Sequence, residues 1–168
     1  METQILKEHW RLGNAWRKNL MNKPTYKTIM VSGGFDPIHV GHVRMIRDAA
    51  QYGDVIVVAN SDEWLFRKKG YNFMGFNERK EILMAIKGVI DVLPVNDADG
   101  TVCSALQDYK PTYFANGGDR TSKNTPEKMV CEELGIKMLW NIGGQKIQSS
   151  SELVQSASPR LGDKHRVG

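Results

Sequence analysis

The sequence predicts an α/β protein with a Rossmann-like, doubly wound sheet of five mostly parallel strands and helices on both faces. Short apolar runs rich in β-branched residues alternate along the chain with longer segments whose apolar residues recur at helical spacing. Four of the five strand candidates are almost entirely apolar, as burial on both faces of a parallel sheet requires. The 168 residues, 40% hydrophobic and 25% charged, fit one compact domain.

Each predicted strand occupies one apolar run, and the predicted helices fill the intervals between them. The strands are 27–32, 54–60, 89–95, 112–116 and 136–141. The helices are 41–52, 77–87, 101–109, 126–134 and one that begins near Ser149, whereas 67–70 is predicted as a loop. Gly53, Gly88 and Gly135 are expected to end helices in left-handed backbone, and Pro126 suits a first helical turn.

The two ends of the chain differ from the predicted domain between them, which spans 27–155. Residues 1–26 form an extension in which 2–21 is predicted as an amphipathic helix. Residues 156–168 are predicted as a flexible basic tail. The net charge of +4 arises at these ends, because residues 28–155 hold 14 positive and 16 negative side chains. We therefore expect no nucleic-acid partner.

Composition also bears on the compartment and on metal binding. No run of 18 apolar residues occurs, and the first twenty residues are polar and charged, whereas a membrane span or a secretory signal needs an uninterrupted apolar stretch. Cys103 and Cys131 show no metal-ligand spacing and are too sparse for a disulfide framework. We expect a cytoplasmic protein with reduced thiols, no membrane partner and no metal held by the protein alone.

The most informative segment follows the first predicted strand and reads GGFDPIHVGH over residues 33–42. In a doubly wound sheet, the carboxyl end of the first strand opens onto the ligand crevice. Glycines let the backbone approach a phosphate, and free N–H groups at a helix start favour negative charge. His39 and His42 straddle the predicted helix start, so both rings are placed to donate hydrogen bonds to one anion. The alternative is a tight turn with two structural histidines.

This segment resembles the HxGH nucleotidyltransferase superfamily, and within it the cytidylyltransferase-like family. It matches the GxFDxxHxGH signature at Gly33, Phe35, Asp36, His39, Gly41 and His42. The resemblance runs in order through nearly all of residues 28–155. It extends both to glycerol-3-phosphate cytidylyltransferases and to heptose-phosphate adenylyltransferases, so CTP and ATP both remain open as the nucleotide donor.

Four later elements resemble parts of the same family's site. Residues 60–62 and 67–70 look like the family's segment after the second strand, in which a lysine contacts phosphates. The sequence does not decide whether Lys68 or Lys69 is that lysine. The alternative is a run of charges that is simply solvated. Arg79 resembles the arginine of an (N/D)xR element, with a surface ion pair as the alternative.

The other two elements lie further along the chain. Residues 115–120 resemble the family's GGD segment, with a plain turn as the alternative. Residues 146–151 resemble the Ser/Thr-rich second signature, although its usual arginine and glycine are absent and Lys146 is the nearest cation. Hydroxyl and N–H groups at a helix N-terminus are good pyrophosphate ligands, and Ser149 is also an ordinary N-cap candidate.

The resemblance assigns roles residue by residue. It implies catalytic roles for His39, His42, Lys68, Lys69 and Arg79. It implies nucleotide contacts from Gly33, Gly34, Phe35, Asp36, Gly41, Ala115, Gly117, Gly118, Asp119, Arg120, Lys146, Ile147, Ser149, Ser150 and Ser151, and substrate contacts from Asp36, Asn60 and Asp62.

Aromatic residues interleave with the cations after the second strand, at Trp64, Phe66, Tyr71, Phe73 and Phe76. A lid over the nucleotide or the substrate is favoured over a stacking platform for single-stranded nucleic acid. A third hypothesis is that one of these rings lines the acceptor pocket.

The function that the resemblance implies is transfer of CMP or AMP from CTP or ATP to a small phosphorylated alcohol or sugar, with release of pyrophosphate. Mg²⁺ would be bound with the triphosphate. Because relatives are often dimers and the predicted N-terminal helix offers apolar surface, we expect a homodimer. The alternative function is a non-catalytic nucleotide-binding or regulatory module.

Overall fold

The computed structural model describes residues 26–121, 123 and 125–163, with the backbone alone for 158–163. Its centre is a sheet of five strands, β1 (Thr28–Gly33), β2 (Asp54–Ala59), β3 (Val89–Pro94), β4 (Tyr113–Ala115) and β5 (Lys137–Leu139). The strand order is β3-β2-β1-β4-β5, and every neighbouring pair is parallel. The predicted Rossmann-like sheet is thus confirmed, with all five strands at their predicted positions and wholly parallel.

Within the described residues, six helices connect and cover the strands. They are α1 (Val40–Ala49), α2 (Asp62–Lys69), α3 (Phe76–Met84), α4 (Cys103–Tyr109), α5 (Lys128–Leu134) and α6 (Ser150–Asp163). Ile29 and Val31 of β1 belong to a core cluster with Ile46 of α1 and Leu83 of α3. Met30, between them, belongs to a second cluster with residues of α4 and α5. Because successive strand side chains point to opposite faces, these two clusters place helices on both faces of the sheet, as predicted.

The strand order fixes where a ligand crevice opens. From β1 the chain proceeds to β2 and β3 on one side, and then crosses to β4 and β5 on the other. In open parallel sheets, the crevice lies beyond the carboxyl ends of the strands where the order reverses, here between β1 and β4. The loops after β1, β2, β4 and β5 therefore meet at one edge.

Several local predictions were wrong. The segment predicted as a loop around 67–70 is the end of helix α2, which Ser61 caps through its hydroxyl and Gly70 ends at φ +80°. Gly88 and Gly135 have left-handed backbone as predicted, at φ +94° and +68°, but Gly53 does not. Gly53 is instead confined by a close approach, since a Cβ there would overlap the carbonyl oxygen of Lys27.

Two further differences concern the C-terminal half. Helix α5 begins at Lys128, so Pro126 lies in the turn before it rather than in its first turn. Helix α6 continues to Asp163 and so includes the first half of the segment predicted as a flexible tail. The predicted helix over 2–21 lies outside the described residues. Across the described part of the chain, no helix has the length and hydropathy needed to cross a membrane.

Candidate active site

The loop after β1 leads into helix α1 through a capping arrangement built from two histidines. His39 is the N-cap residue, and its Nδ1 accepts a hydrogen bond from the Gly41 N–H at 3.1 Å. His42 Nδ1 accepts one from the His39 N–H at 3.2 Å, which completes a reciprocal capping box. A Cβ on Gly41 would lie 2.9 Å from His39 Cε1 and 3.0 Å from Nδ1. A side chain at position 41 would therefore displace the His39 ring.

These hydrogen bonds determine where the imidazole protons lie. An Nδ1 that accepts an N–H carries no proton, so each neutral ring holds its proton on Nε2. The rings stack with centroids 3.8 Å apart and an interplanar angle of 26°. Burial, followed by the nearby His39 and Lys69, lowers the pKa of His42 to about 3. Burial, followed by Lys146 and Lys69, also lowers the pKa of His39. Both rings are therefore neutral near pH 7 and have Nε2–H donors available.

A cavity of about 410 Å³ adjoins this pair and is bordered by the loops after β1, β4 and β5, by helix α2 and by the starts of α1 and α6. It brings together most of the residues that the sequence nominated. Those that line it are Gly33, Gly34, Phe35, His39, Gly41, His42, Lys68, Lys69, Gly117, Gly118, Asp119, Arg120, Lys146, Ile147, Ser149, Ser150 and Ser151.

The cavity is electropositive. Lys68, Lys69, Arg120 and Lys146 line it, and among the described lining residues only Asp119 carries a negative charge. Burial lowers the pKa of Lys68, with Arg120 and Lys146 acting in the same direction and Asp119 opposing them. Burial is also the main reason that the pKa of Lys69 is lowered. Cations held together in a partly desolvated cleft are typical of an anion-binding site.

Two loops close the cavity on the side of β4 and β5. Lys146 Nζ lies 3.2 Å from Asp119 Oδ2, so a contact joins the two loops across the cleft. A Cβ on Gly118 would lie 2.5 Å from the carbonyl oxygen of Gly144. Gly118 is therefore needed for the close approach of these loops, so the Gly-Gly sequence is more than a plain turn.

The start of helix α6 forms the remaining wall. Ser150 Oγ donates to the carbonyl oxygen of Pro37 at 2.8 Å, which ties this helix to the loop before α1. Ser149 Oγ accepts the Glu152 N–H at 3.2 Å, so Ser149 caps the helix and lines the cavity at once. The N-terminal ends of α1 and α6 thus face the same space, and both favour negative charge there.

Arg79 does not reach the cavity. Its side chain is fully buried, and its guanidinium donates to the carbonyl oxygens of Met74, Gly34 and Asn60 at 2.7–3.1 Å. It also pairs with Asp62 Oδ1 at 2.7 Å. The surface ion pair considered from the sequence is wrong, since the Arg79 side chain is fully buried and its partner lies 17 residues earlier in the chain. Arg79 here joins the loop after β1, the end of β2 and the segment before α3.

Asp36, Asn60, Asp62 and Ala115 also do not line the cavity. Asp36 is buried, and its carboxylate accepts the N–H groups of Phe73 and Met74 at 2.8 and 2.6 Å. Asn60 donates to Asp97 at 3.0 Å. The side chains of Asp36, Asn60 and Asp62 brace the loops around the site. The predicted contacts of all four residues with nucleotide or substrate stay predictions.

Of the five interleaved aromatic residues that the sequence singled out, Trp64 alone lines the cavity. Other lining residues escaped the sequence analysis. Met45, Gly143, Gly144, Gln145 and Gln148 also line it. The adjacent glycines 143–144, both with positive φ, were an available signal of a close backbone approach.

A protein-family model matches the part of the sequence that builds this site. The model, described as cytidylyltransferase-like, covers residues 30–156, which include every loop that borders the cavity. The chain belongs to the cytidylyltransferase-like family. The predicted relationship is thereby confirmed.

Curated relatives agree with this assignment. The chain is 37% identical over 112 residues to the bifunctional protein HldE of Geobacter metallireducens, a match that covers 65% of this chain and 22% of that protein. It is 29% identical over 123 residues to the glycerol-3-phosphate cytidylyltransferase of Bacillus subtilis, a match that covers 73% of this chain and 95% of that enzyme. The chain thus spans only 22–28% of the length of several HldE proteins that it matches.

Solved structures show the same fold. A lipopolysaccharide core biosynthesis protein from Thermoplasma volcanium aligns with 71% of this chain and 98% of its own, at a TM-score of 0.58 and 19% sequence identity. At this identity the likeness concerns the fold alone. As a member of the cytidylyltransferase-like family, the chain therefore combines the family's sheet with the histidine pair and the electropositive cavity described above.

Proposed function

We propose that this protein transfers a nucleotidyl group, CMP or AMP, from CTP or ATP to a small phosphorylated alcohol or sugar and releases pyrophosphate. The observation that carries the proposal is the pair of neutral histidines at the start of α1 in an electropositive cavity. Membership of the cytidylyltransferase-like family and the similarity to a glycerol-3-phosphate cytidylyltransferase support it.

The reaction needs no covalent intermediate with the enzyme. A phosphate oxygen of the acceptor attacks the α-phosphorus, the bond from that phosphorus to the β-bridging oxygen breaks, and pyrophosphate leaves with the electron pair. Both substrates are anions, so the protein must align them and offset charge repulsion. The Nε2–H groups of His39 and His42 donate to the α-phosphate as its charge develops.

The remaining phosphates are held by the cations of the facing segments. Lys68 and Lys69 lie at the end of α2, whereas Arg120 and Lys146 lie on the loops after β4 and β5. The start of α6, with Ser149 and Ser151 at the cavity, adds hydroxyl and N–H donors. Arg79 and Asp36 act as positioning residues, because their polar groups hold the surrounding loops.

Mg²⁺ fits this site only in company with the triphosphate. The described residues include no group of three or more His, Cys, Asp or Glu side chains that could hold a metal ion. Asp119 is the one described carboxylate at the cavity. Mg²⁺ is commonly held by one or two carboxylates together with substrate phosphates, and it neutralises phosphate charge when bound.

The proposal is tested by measuring pyrophosphate release with Mg²⁺ and each of ATP, CTP, GTP and UTP. The acceptor panel contains glycerol 3-phosphate, phosphocholine, phosphoethanolamine and sugar 1-phosphates, and His42→Ala is the control variant. We expect acceptor-dependent release with ATP or CTP that is lost in the variant. Nucleotide binding without turnover of any acceptor would favour a binding module, and a lack of nucleotide binding would refute the proposal.

A further inference from the structure

The four cations that line the cavity differ in what holds them. Lys69 Nζ donates to the carbonyl oxygen of Asp36 at 2.9 Å. Arg120 pairs with Glu127 at 3.4 Å, and Lys146 pairs with Asp119 at 3.2 Å. Within the described residues, Lys68 has no hydrogen-bond acceptor and no ion-pair partner. The Lys68 ammonium is therefore the cation whose donors remain available to an anion.

An aromatic ring holds this ammonium in place. Lys68 Nζ lies 4.4 Å from the centroid of the Trp64 ring, one helical turn earlier on α2. A cation at this distance over an indole face is attracted by the ring quadrupole, and tryptophan is the best of the aromatic residues in this role. The interaction restrains a long side chain without occupying any of its N–H donors.

The position of the ring follows from its place in the first turn of α2 and from the loop beside it. The backbone N–H of Trp64 donates to Ser61 Oγ at 3.0 Å, which caps α2 and holds the backbone that carries the ring. A Cβ on Gly34 would lie 3.9 Å from Trp64 Cζ3, so the ring lies against the loop that follows β1. Trp64 lines the cavity, whereas Phe66 on the same helix is 62% exposed and does not.

We infer that Trp64 is a positioning residue that holds the Lys68 ammonium for the phosphates of the nucleotide donor. This inference rests on the proposed function and assigns to Lys68 the phosphate contact that the sequence left open between Lys68 and Lys69. Lys68 faces Arg120 and Lys146, whose loops border the cavity opposite α2. Lys69 is tied to the loop that carries the histidines. Lys68, Arg120 and Lys146 thus lie close enough to act on one another and line the same cavity as the histidine pair.

Calorimetric binding of inorganic tripolyphosphate tests this inference without requiring turnover. Trp64→Leu removes the ring, and we expect it to weaken binding by about two- to fivefold, the amount that a partly exposed cation–π contact supplies. Trp64→Phe keeps an aromatic face and should restore part of the loss. Lys68→Met should weaken binding by about tenfold or more, because it removes a charge-assisted hydrogen bond. Phe66→Leu is the matched control and should bind as the wild type does.

The double variant Trp64→Leu/Lys68→Met decides the mechanism. If Trp64 acts through Lys68, the double variant should bind as weakly as Lys68→Met alone, and thermal melting should show all variants folded. A further loss of affinity in the double variant would mean that the Trp64 ring contacts the ligand directly. An unchanged affinity in Trp64→Leu would mean that the ring does not position Lys68. Either result overturns the inference. If the wild-type protein bound no nucleotide at all, the proposed function itself would be refuted.

Discussion

Substitution of Arg79 by methionine distinguishes a positioning role from a direct phosphate contact. The variant leaves the carbonyl oxygens of Met74, Gly34 and Asn60 without their donor, and Asp62 without its partner. Removing one partner of a buried ion pair costs about 3–5 kcal/mol. Since the Asp62 side chain is 39% exposed and water can solvate it, we expect a loss near the lower end, about 3 kcal/mol. In a domain of this size such a loss lowers Tm by about 6–12 °C.

Urea unfolding measures the free energy, and calorimetry with tripolyphosphate measures the affinity of the protein that remains folded. Lys87→Met, which removes an exposed cation beyond the end of α3, is the matched control and should change neither quantity. We expect Arg79→Met to be clearly less stable but to bind tripolyphosphate nearly as well as the wild type. Unchanged stability together with a large loss of affinity would show that Arg79 contacts the ligand, and would refute the positioning role.

Two further predictions follow from the histidine pair. Gly41→Ala should displace the His39 ring, because the added methyl would lie 2.9 Å from Cε1; steady-state kinetics should show a fall in kcat, and a fully active variant would contradict the account of this glycine. His42, with its pKa lowered to about 3 in the fold, contributes stability that is present above its unfolded pKa of about 6.5 and is lost as the pH falls. Urea unfolding should show the wild type losing about 2 kcal/mol more than His42→Asn between pH 6.5 and 4.5. The asparagine keeps an acceptor for the His39 N–H, and parallel pH profiles would contradict the neutral state of the ring.

The sequence predicted the sheet well, because its strands are marked by apolar runs that tolerate burial on both faces. It missed helix α2, since Leu65 is the one residue of that helix in the core and the helix therefore shows little apolar periodicity. The end signals were present, however, in Ser61 and Gly70. Local capping chemistry would have been a better guide there than periodicity.

The sequence also predicted the histidine pair, because the two histidines are close together in the chain. It predicted the cations at the cavity because each follows a strand and carries a positive charge. It could not predict the place of Arg79, whose partners belong to segments up to 45 residues away. An arginine in a first helical turn indicates that an acceptor lies nearby, and here the protein supplies that acceptor itself. The homodimer, the N-terminal helix and the cytoplasmic location stay predictions.

The most direct test of nucleotidyl transfer is ³¹P nuclear magnetic resonance of a reaction that contains the protein, Mg²⁺, the donor and an acceptor from the panel above. We expect the three signals of the triphosphate and that of the acceptor phosphate to be replaced by those of pyrophosphate and of a new phosphoanhydride that joins the two substrates. A triphosphate that stays intact, or that yields free nucleoside monophosphate while the acceptor signal persists, would contradict transfer to that acceptor.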